Sequence, residues 1–220
     1  MSATSGSRDQ VLGRIKAATA RVSSPTSRLV QCYAAIPRDY VRAGELSADS
    51  KIALLCERLG DYGADVQVCS RSGLAGVIIE RLSSSGRRVF LVPPDLPREW
   101  MAPAFEWKID HGLGYEEIES ADGVVTSATC AIADSGTIVL HHSTREGRRV
   151  LTLLPDWQLC IVCASQVVET LPEYFKRVEG TPALVTWISG PSATADIEMT
   201  RIKGVHGPRY LNVIIVRDEE

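Results

Sequence analysis

Directly after an apolar segment the chain reads Ile188-Ser189-Gly190-Pro191-Ser192-Ala193-Thr194-Ala195-Asp196-Ile197-Glu198, a run of small hydroxyls closed by two acids. In open α/β sheets, ligands bind beyond the carboxyl ends of strands, where glycine lets backbone approach and hydroxyls donate hydrogen bonds. Gly190, Ser192 and Thr194 therefore suit an anionic or polar group. Asp196 and Glu198, two residues apart, face one side of an extended segment and can accept from sugar, pterin or adenine donors. The same Ser192 or Thr194 can equally cap the segment that follows, and spacing leaves both readings open.

Two further blocks have this character. Gly204-Val205-His206-Gly207-Pro208 sets a lone imidazole among glycines, as a general acid/base or ligand-holding donor requires, and as a plain turn also would. Asp134-Ser135-Gly136-Thr137 separates two apolar runs; Asp134 can bind a ligand hydroxyl, yet Asp and Gly are ordinary turn formers. The expectation is that Ser135, Thr137, Ser192, Thr194 and His206 converge on one pocket at the carboxyl ends of the sheet strands. His141 and His142 point to opposite faces if they lie in a strand, and so do not grip one metal ion.

Among six cysteines only Cys160 and Cys163 have ligand-like spacing, and neither a second Cys-x-x-Cys nor a His pair completes a zinc set. They sit inside the apolar run Leu159 to Ala164, where a thiol behaves as a small hydrophobe. No metal site and no iron–sulfur cluster are expected in this chain. The phosphate loop Gly-x-x-x-x-Gly-Lys-Ser/Thr, the Gly-x-Ser-x-Gly elbow and a Gly-x-Gly-x-x-Gly after the first strand are missing, which weakens NTPase, hydrolase and NAD readings. With 24 Lys and Arg against 27 Asp and Glu the net charge of −3 gives no field for a polyanion, so no nucleic-acid partner is expected. No apolar run reaches the ~18 residues of a membrane span, and Met1 to Gln10 is polar; the expectation is a cytoplasmic chain.

The elements that must position these blocks alternate. Val11, Ile15, Ala18 and Val22 recur at helical spacing, predicting an amphipathic helix over about 8–22 that Ser23-Ser24-Pro25 stops. Ser47 can cap a helix with Ile52, Leu55, Leu59 and Tyr62 on one face. Short strands are expected at 65–69, 88–92 and 107–110, helices at 74–82 and 115–120, and a hairpin joins 131–133 to 137–140. Ser143 to Glu146 and Thr170 to Glu173 have capping-box spacing before short helices. Leu159 to Ala164, Leu184 to Ser189 and Leu211 to Arg217 complete the strands, the last nearly continuously apolar and so central. The pattern predicts an α/β fold, a mainly parallel sheet flanked by helices, with an N-terminal helical annex over 1–35 and the α/β domain over 36–220.

Three long blocks in order, Ala131 to Leu140, Ser189 to Glu198 and Gly204 to Pro208, resemble the LUD-domain family in its lactate-utilization protein C branch. The similarity extends from about Ile36 to Val216 and includes Glu57 to Val66. The resemblance implies a fold similar to the sugar-phosphate isomerase, CoA-transferase and formyltetrahydrofolate cyclo-ligase superfamily. It also implies a part in bacterial oxidation of L-lactate to pyruvate beside two iron–sulfur partner proteins. Ala193 departs from the Arg or Asn common in members, which removes one polar contact if that side chain touches a ligand. Two functions follow: an accessory subunit holding a small anionic ligand, or an independent acyl-transfer or cyclo-ligase enzyme in which Glu198 is the nearest carboxylate nucleophile.

Overall fold

A computed structural model describes residues 7–19, 26–178, 180, 182–194, 202–203 and 207–217. The chain divides into two units, Met1–Tyr40 and Val41–Glu220. The first carries α1 (Ser7–Thr19) and α2 (Thr26–Ala34). Val11 and Ile15 of α1 are exposed, as are Leu29, Val30 and Tyr33 of α2. The second helix was not expected from the sequence, although its apolar residues sit at helical spacing.

In the second unit the elements run α3 (Ala48–Asp61), β1 (Asp65–Ser70), α4 (Leu74–Ser84), β2 (Val89–Val92), β3 (Glu106–Ile109), α5 (Tyr115–Glu119), β4 (Gly123–Ser127), β5 (Cys130–Ile132) and β6 (Thr137–Leu140). There follow β7 (Trp157–Cys163), β8 (Val167–Val168), α6 (Leu171–Arg177), β9 (Thr186–Ile188), β10 (Ala193–Thr194), β11 (Ile202–Lys203) and β12 (Tyr210–Arg217). Six strands form one sheet in the order β1-β12-β7-β4-β2-β3, every neighbouring pair parallel. A second sheet has the order β8-β5-β6-β9, and β10 pairs with β11. The expected α/β architecture with a mainly parallel sheet is present, and β12 lies inside it as its apolar run requires.

Period-two alternation gives the large sheet two apolar faces. Leu211, Val213 and Ile215 of β12 with Cys160 and Val162 of β7 meet Ile52, Leu55 and Leu59 of α3 and the inner residues of the small sheet. Ile214, Val216, Leu159 and Ile161 point the other way, onto Leu74, Ile78 and Leu82 of α4. Ile118 of α5 packs on Leu91, Val124 and Leu151. Burying a leucine such as Leu55 completely is worth roughly 1.5–3 kcal/mol, so α3 is fixed on its face by three such anchors. Ser47 caps α3 by accepting from the Ser50 N–H at 3.2 Å.

Two local expectations divide. Glu173 completes the capping box of α6, accepting from the Thr170 N–H at 2.8 Å and the Glu169 N–H at 2.9 Å. At Ser143 to Glu146 the same spacing starts no α-helix; the Glu146 carboxylate turns back onto the N–H groups of His141 (2.8 Å) and Ser143 (3.1 Å), and a short 3-10 turn, Arg149–Thr152, follows. No helix among the described residues is long and apolar enough to cross a membrane.

Candidate functional site

The described residues of these blocks lie toward the amino edge of the large sheet, which corrects the expectation that they lie at its carboxyl edge; of them Gly190, Ser192 and Gly207 line one pocket, and Ser135 and Thr137 stand outside its wall. The physical reason is topological: β9, which leads into Ser189, belongs to the small sheet, and Gly207-Pro208 precedes β12 instead of following a strand. A pocket of about 210 Å³ opens there, between Gln158 and Leu211 near the starts of β7 and β12. Arg149, Thr152, Ser189, Gly190, Ser192 and Gly207 contribute to its wall.

Hydroxyl contacts tie the first block to the second. The Ser135 and Thr137 hydroxyls are 2.8 Å apart, and that of Thr137 is 2.8 Å from the Ser189 hydroxyl. The Ser192 N–H donates to the Pro208 carbonyl at 2.9 Å, joining the second block to the third. Thr137 is buried, while Asp134 and Ser135 are exposed on the hairpin turn. Two glycines have packing reasons of their own. Gly136 has φ +60°, and a Cβ there would stand 2.6 Å from Arg58 Cβ; Gly190 has φ +85° and would meet Tyr62 Cβ at 2.4 Å. Thr194 lies in β10. Asp196, Glu198, Gly204 and His206 lie outside the described residues.

The carboxyl edge holds a larger cavity, of about 680 Å³. Its wall combines Arg71 after β1, Trp100 after β2, Ser127 at the end of β4, Arg145 after β6 and Cys163 at the end of β7. Leu74 and Ala75, the first residues of α4, also line it, and the N-cap Gly73 brings no side-chain cap. Two glutamates lie in the same wall. Glu146 is 1% exposed and accepts from Thr129 Oγ1 at 2.5 Å as well as from the two N–H groups already described. Its charge is therefore met locally by three donors. Glu99 is exposed. Sequence reading missed this cavity because it is built from single residues dispersed over 71–216.

The histidines and cysteines have separate surroundings. His142 Nδ1 donates to the Gly147 carbonyl at 2.9 Å, leaving Nε2 to accept from the Thr186 hydroxyl at 2.7 Å, whereas His141 Nε2 lies 2.8 Å from the Tyr174 hydroxyl. Cys160 and Cys163, three apart in β7, fall on opposite faces of that strand. Burial pushes the Cys160 thiol up to about 12 and the Cys130 thiol up to about 11. Among the described residues no group of three or more His, Cys, Asp or Glu is arranged to hold a metal ion.

Arg148 forks onto Asp110 with contacts of 2.7 and 2.6 Å, and the Gly112 and Leu113 N–H groups donate to the same carboxylate. Burial acts to raise this carboxyl, but Arg148 and the two N–H donors outweigh it and hold Asp110 below the usual carboxylate range. The pair joins the loop after β3 to the start of the 149–152 turn, and so braces the segment carrying Arg149.

These features define a layered α/β protein with a parallel sheet, a smaller mixed sheet built on the β5–β6 hairpin, and a pocket at each end of the strands. The chain belongs to the LUD domain family, whose sequence pattern matches residues 77–216. It is similar to lactate utilization protein C of Deinococcus radiodurans, 42% identical over 166 residues covering 73% of this chain and 76% of that one. Lactate utilization protein C of Bacillus subtilis is 28% identical over 194 residues, 78% of this chain and 80% of that one. A crystal structure of a DUF162 family protein from Deinococcus radiodurans superposes with a TM-score of 0.66 at 35% identity, covering 78% of this chain and 99% of that chain.

Proposed function

We propose that this chain is a cytoplasmic accessory protein in the oxidation of L-lactate to pyruvate, working beside iron–sulfur partner proteins and holding a small anionic ligand. The observation that carries the role is the 42% identity, over about three quarters of both chains, to a protein named for lactate utilization. The ligand is placed in the amino-edge pocket, whose volume of about 210 Å³ suits a three-carbon acid and whose wall offers the Arg149 guanidinium with the Ser189 and Ser192 hydroxyls. The wider ligand set in this reading is Asp134, Ser135, Gly136, Thr137, Gly190, Ser192, Thr194, Asp196, Glu198, Gly204, His206 and Gly207. The α/β domain from residue 36 carries that site, and residues 1–35 are an annex to it. The second reading is an independent acyl-transfer or cyclo-ligase enzyme with Glu198 as its nucleophile, a residue that lies outside the described residues.

Deletion of the gene tests the role. Growth on L-lactate is expected to fail while growth on pyruvate continues, with restoration by the wild-type gene. Restoration by Arg149→Ala is expected to be poor although the variant melts near the parent temperature. Unchanged lactate growth after deletion overturns the accessory role, and full rescue by Arg149→Ala overturns the placement of the ligand.

A further inference from the structure

We propose that the carboxyl-edge cavity binds a nucleotide, an aromatic base joined to phosphate, at a site separate from the small-anion pocket. Size decides first. At about 680 Å³ the cavity has over three times the 210 Å³ of the amino-edge pocket, far more than a three-carbon acid fills. It falls within the ~300–1,000 Å³ range that encloses ligands of nucleotide size.

The wall chemistry sets the class of ligand. Arg71 and Arg145 stand on segments that leave β1 and β6, and a guanidinium's planar donors match phosphate oxygens in pairs. The Arg145 carbonyl accepts from both the N–H and the hydroxyl of Ser127, so its backbone is fixed to the end of β4 while the side chain lines the cavity. Glu146, the buried acid of this wall, already has its oxygens bonded by Thr129, His141 and Ser143, so its charge is met within the protein, and the neighbouring Arg145 is exposed. Trp100 supplies an aromatic surface, and Leu74 and Ile161 supply apolar ones against which a base is drawn out of water. A parallel sheet presents this combination at the carboxyl ends of its strands, and here β1, β2, β4, β7 and β12 all contribute.

The test is titration of the full chain with ADP by calorimetry, with pyrophosphate, adenosine and L-lactate as separate arms. Saturable ADP binding is expected, weakened at least tenfold by Arg145→Ala and unchanged by Arg149→Ala in the other pocket. Absence of saturable binding by ADP, GDP and UDP at millimolar concentration overturns the proposal. So does pyrophosphate binding as tightly as ADP, which reduces the cavity to an anion site without a base subsite. Hydrogen exchange on the wild-type protein keeps the test informative if Arg145→Ala does not fold. Protection by ADP over 71–77 and 143–147 supports the site; protection confined to 186–192 overturns it. These outcomes are independent of lactate growth, so this inference and the proposed role can fail separately.

Discussion

The hydroxyls of Thr137 and Ser189, 52 residues apart in sequence, lie 2.8 Å from each other across the inner rim of the small sheet. Thr137 opens β6 and Ser189 directly follows β9, which pairs antiparallel with β6, so the contact closes the ladder at the end where Ile138 faces Ile188. It fixes the start of the loop that carries Gly190 and Ser192 into the amino-edge pocket. The hairpin thereby becomes part of the support of the candidate site, although its own tip is exposed.

Thr137→Val keeps the side-chain volume and removes that link. The loss of a partly buried hydroxyl contact is expected to lower stability by about 1 kcal/mol, read as a lower urea midpoint with an unchanged m-value. If the pocket holds a small carboxylate, pyruvate affinity measured by calorimetry falls as well. A variant with the parental midpoint and parental affinity would show that the contact supports nothing.

Gly136→Ala tests the packing of the same hairpin on α3. The new Cβ would lie 2.6 Å from Arg58 Cβ and 3.0 Å from its carbonyl carbon, at a φ of +60° that L residues disfavour. Strain of roughly 1–3 kcal/mol for the backbone alone, plus displacement of α3, predicts a substantially lower melting temperature. Gly60→Ala in α3 meets nothing within 4 Å and is expected to be neutral or to stabilise by up to ~1 kcal/mol. Equal melting temperatures for the two variants would contradict the close approach.

Much of this architecture is legible in the sequence because its signals are local. Asp134-Ser135-Gly136 between two apolar runs gives β5 and β6, Ser47 marks the start of α3, and the run over 211–216, apolar except for Asn212, marks a strand covered on both faces. The end of the sheet at which the three polar blocks gather was not legible. That depends on β9 leaving the main sheet, a decision made by pairing with Val139 and Leu140 in β6 and not by any residue near Ser189. The carboxyl-edge cavity was hidden for a related reason: Arg71, Ser127 and Arg145 become neighbours only when parallel strands align their ends.

The buried thiols should resist modification. Burial raises Cys160 to about 12 and Cys130 to about 11, so at pH 8 neither supplies an appreciable thiolate, while Cys32 is exposed. Iodoacetamide followed by mass spectrometry is expected to label Cys32 in the native protein and to reach Cys160 and Cys130 only in denaturant. Rapid native labelling of Cys160 would mean that β7 opens readily, against its placement between both apolar faces of the sheet.

Asp110→Asn addresses the brace behind Arg149. The Asp110 side chain is 1% exposed, whereas that of Arg148 is 45% exposed and can be hydrated when its partner is neutral. The expected cost at neutral pH is therefore that of charge-assisted hydrogen bonds, about 1.5–3 kcal/mol, below the 3–5 kcal/mol range for a buried ion left wholly unpaired. Because the folded carboxyl is held below its unfolded value, its contribution is complete above an unfolded pKa of about 3.9 and is lost as pH falls through the lower folded value. Urea midpoints of parent and variant should accordingly differ most at pH 6–7 and converge below about pH 4. A difference that stayed constant down to pH 3 would assign the effect to lost packing, and a difference that grew on acidification would reverse the sign expected for a carboxylate held by Arg148.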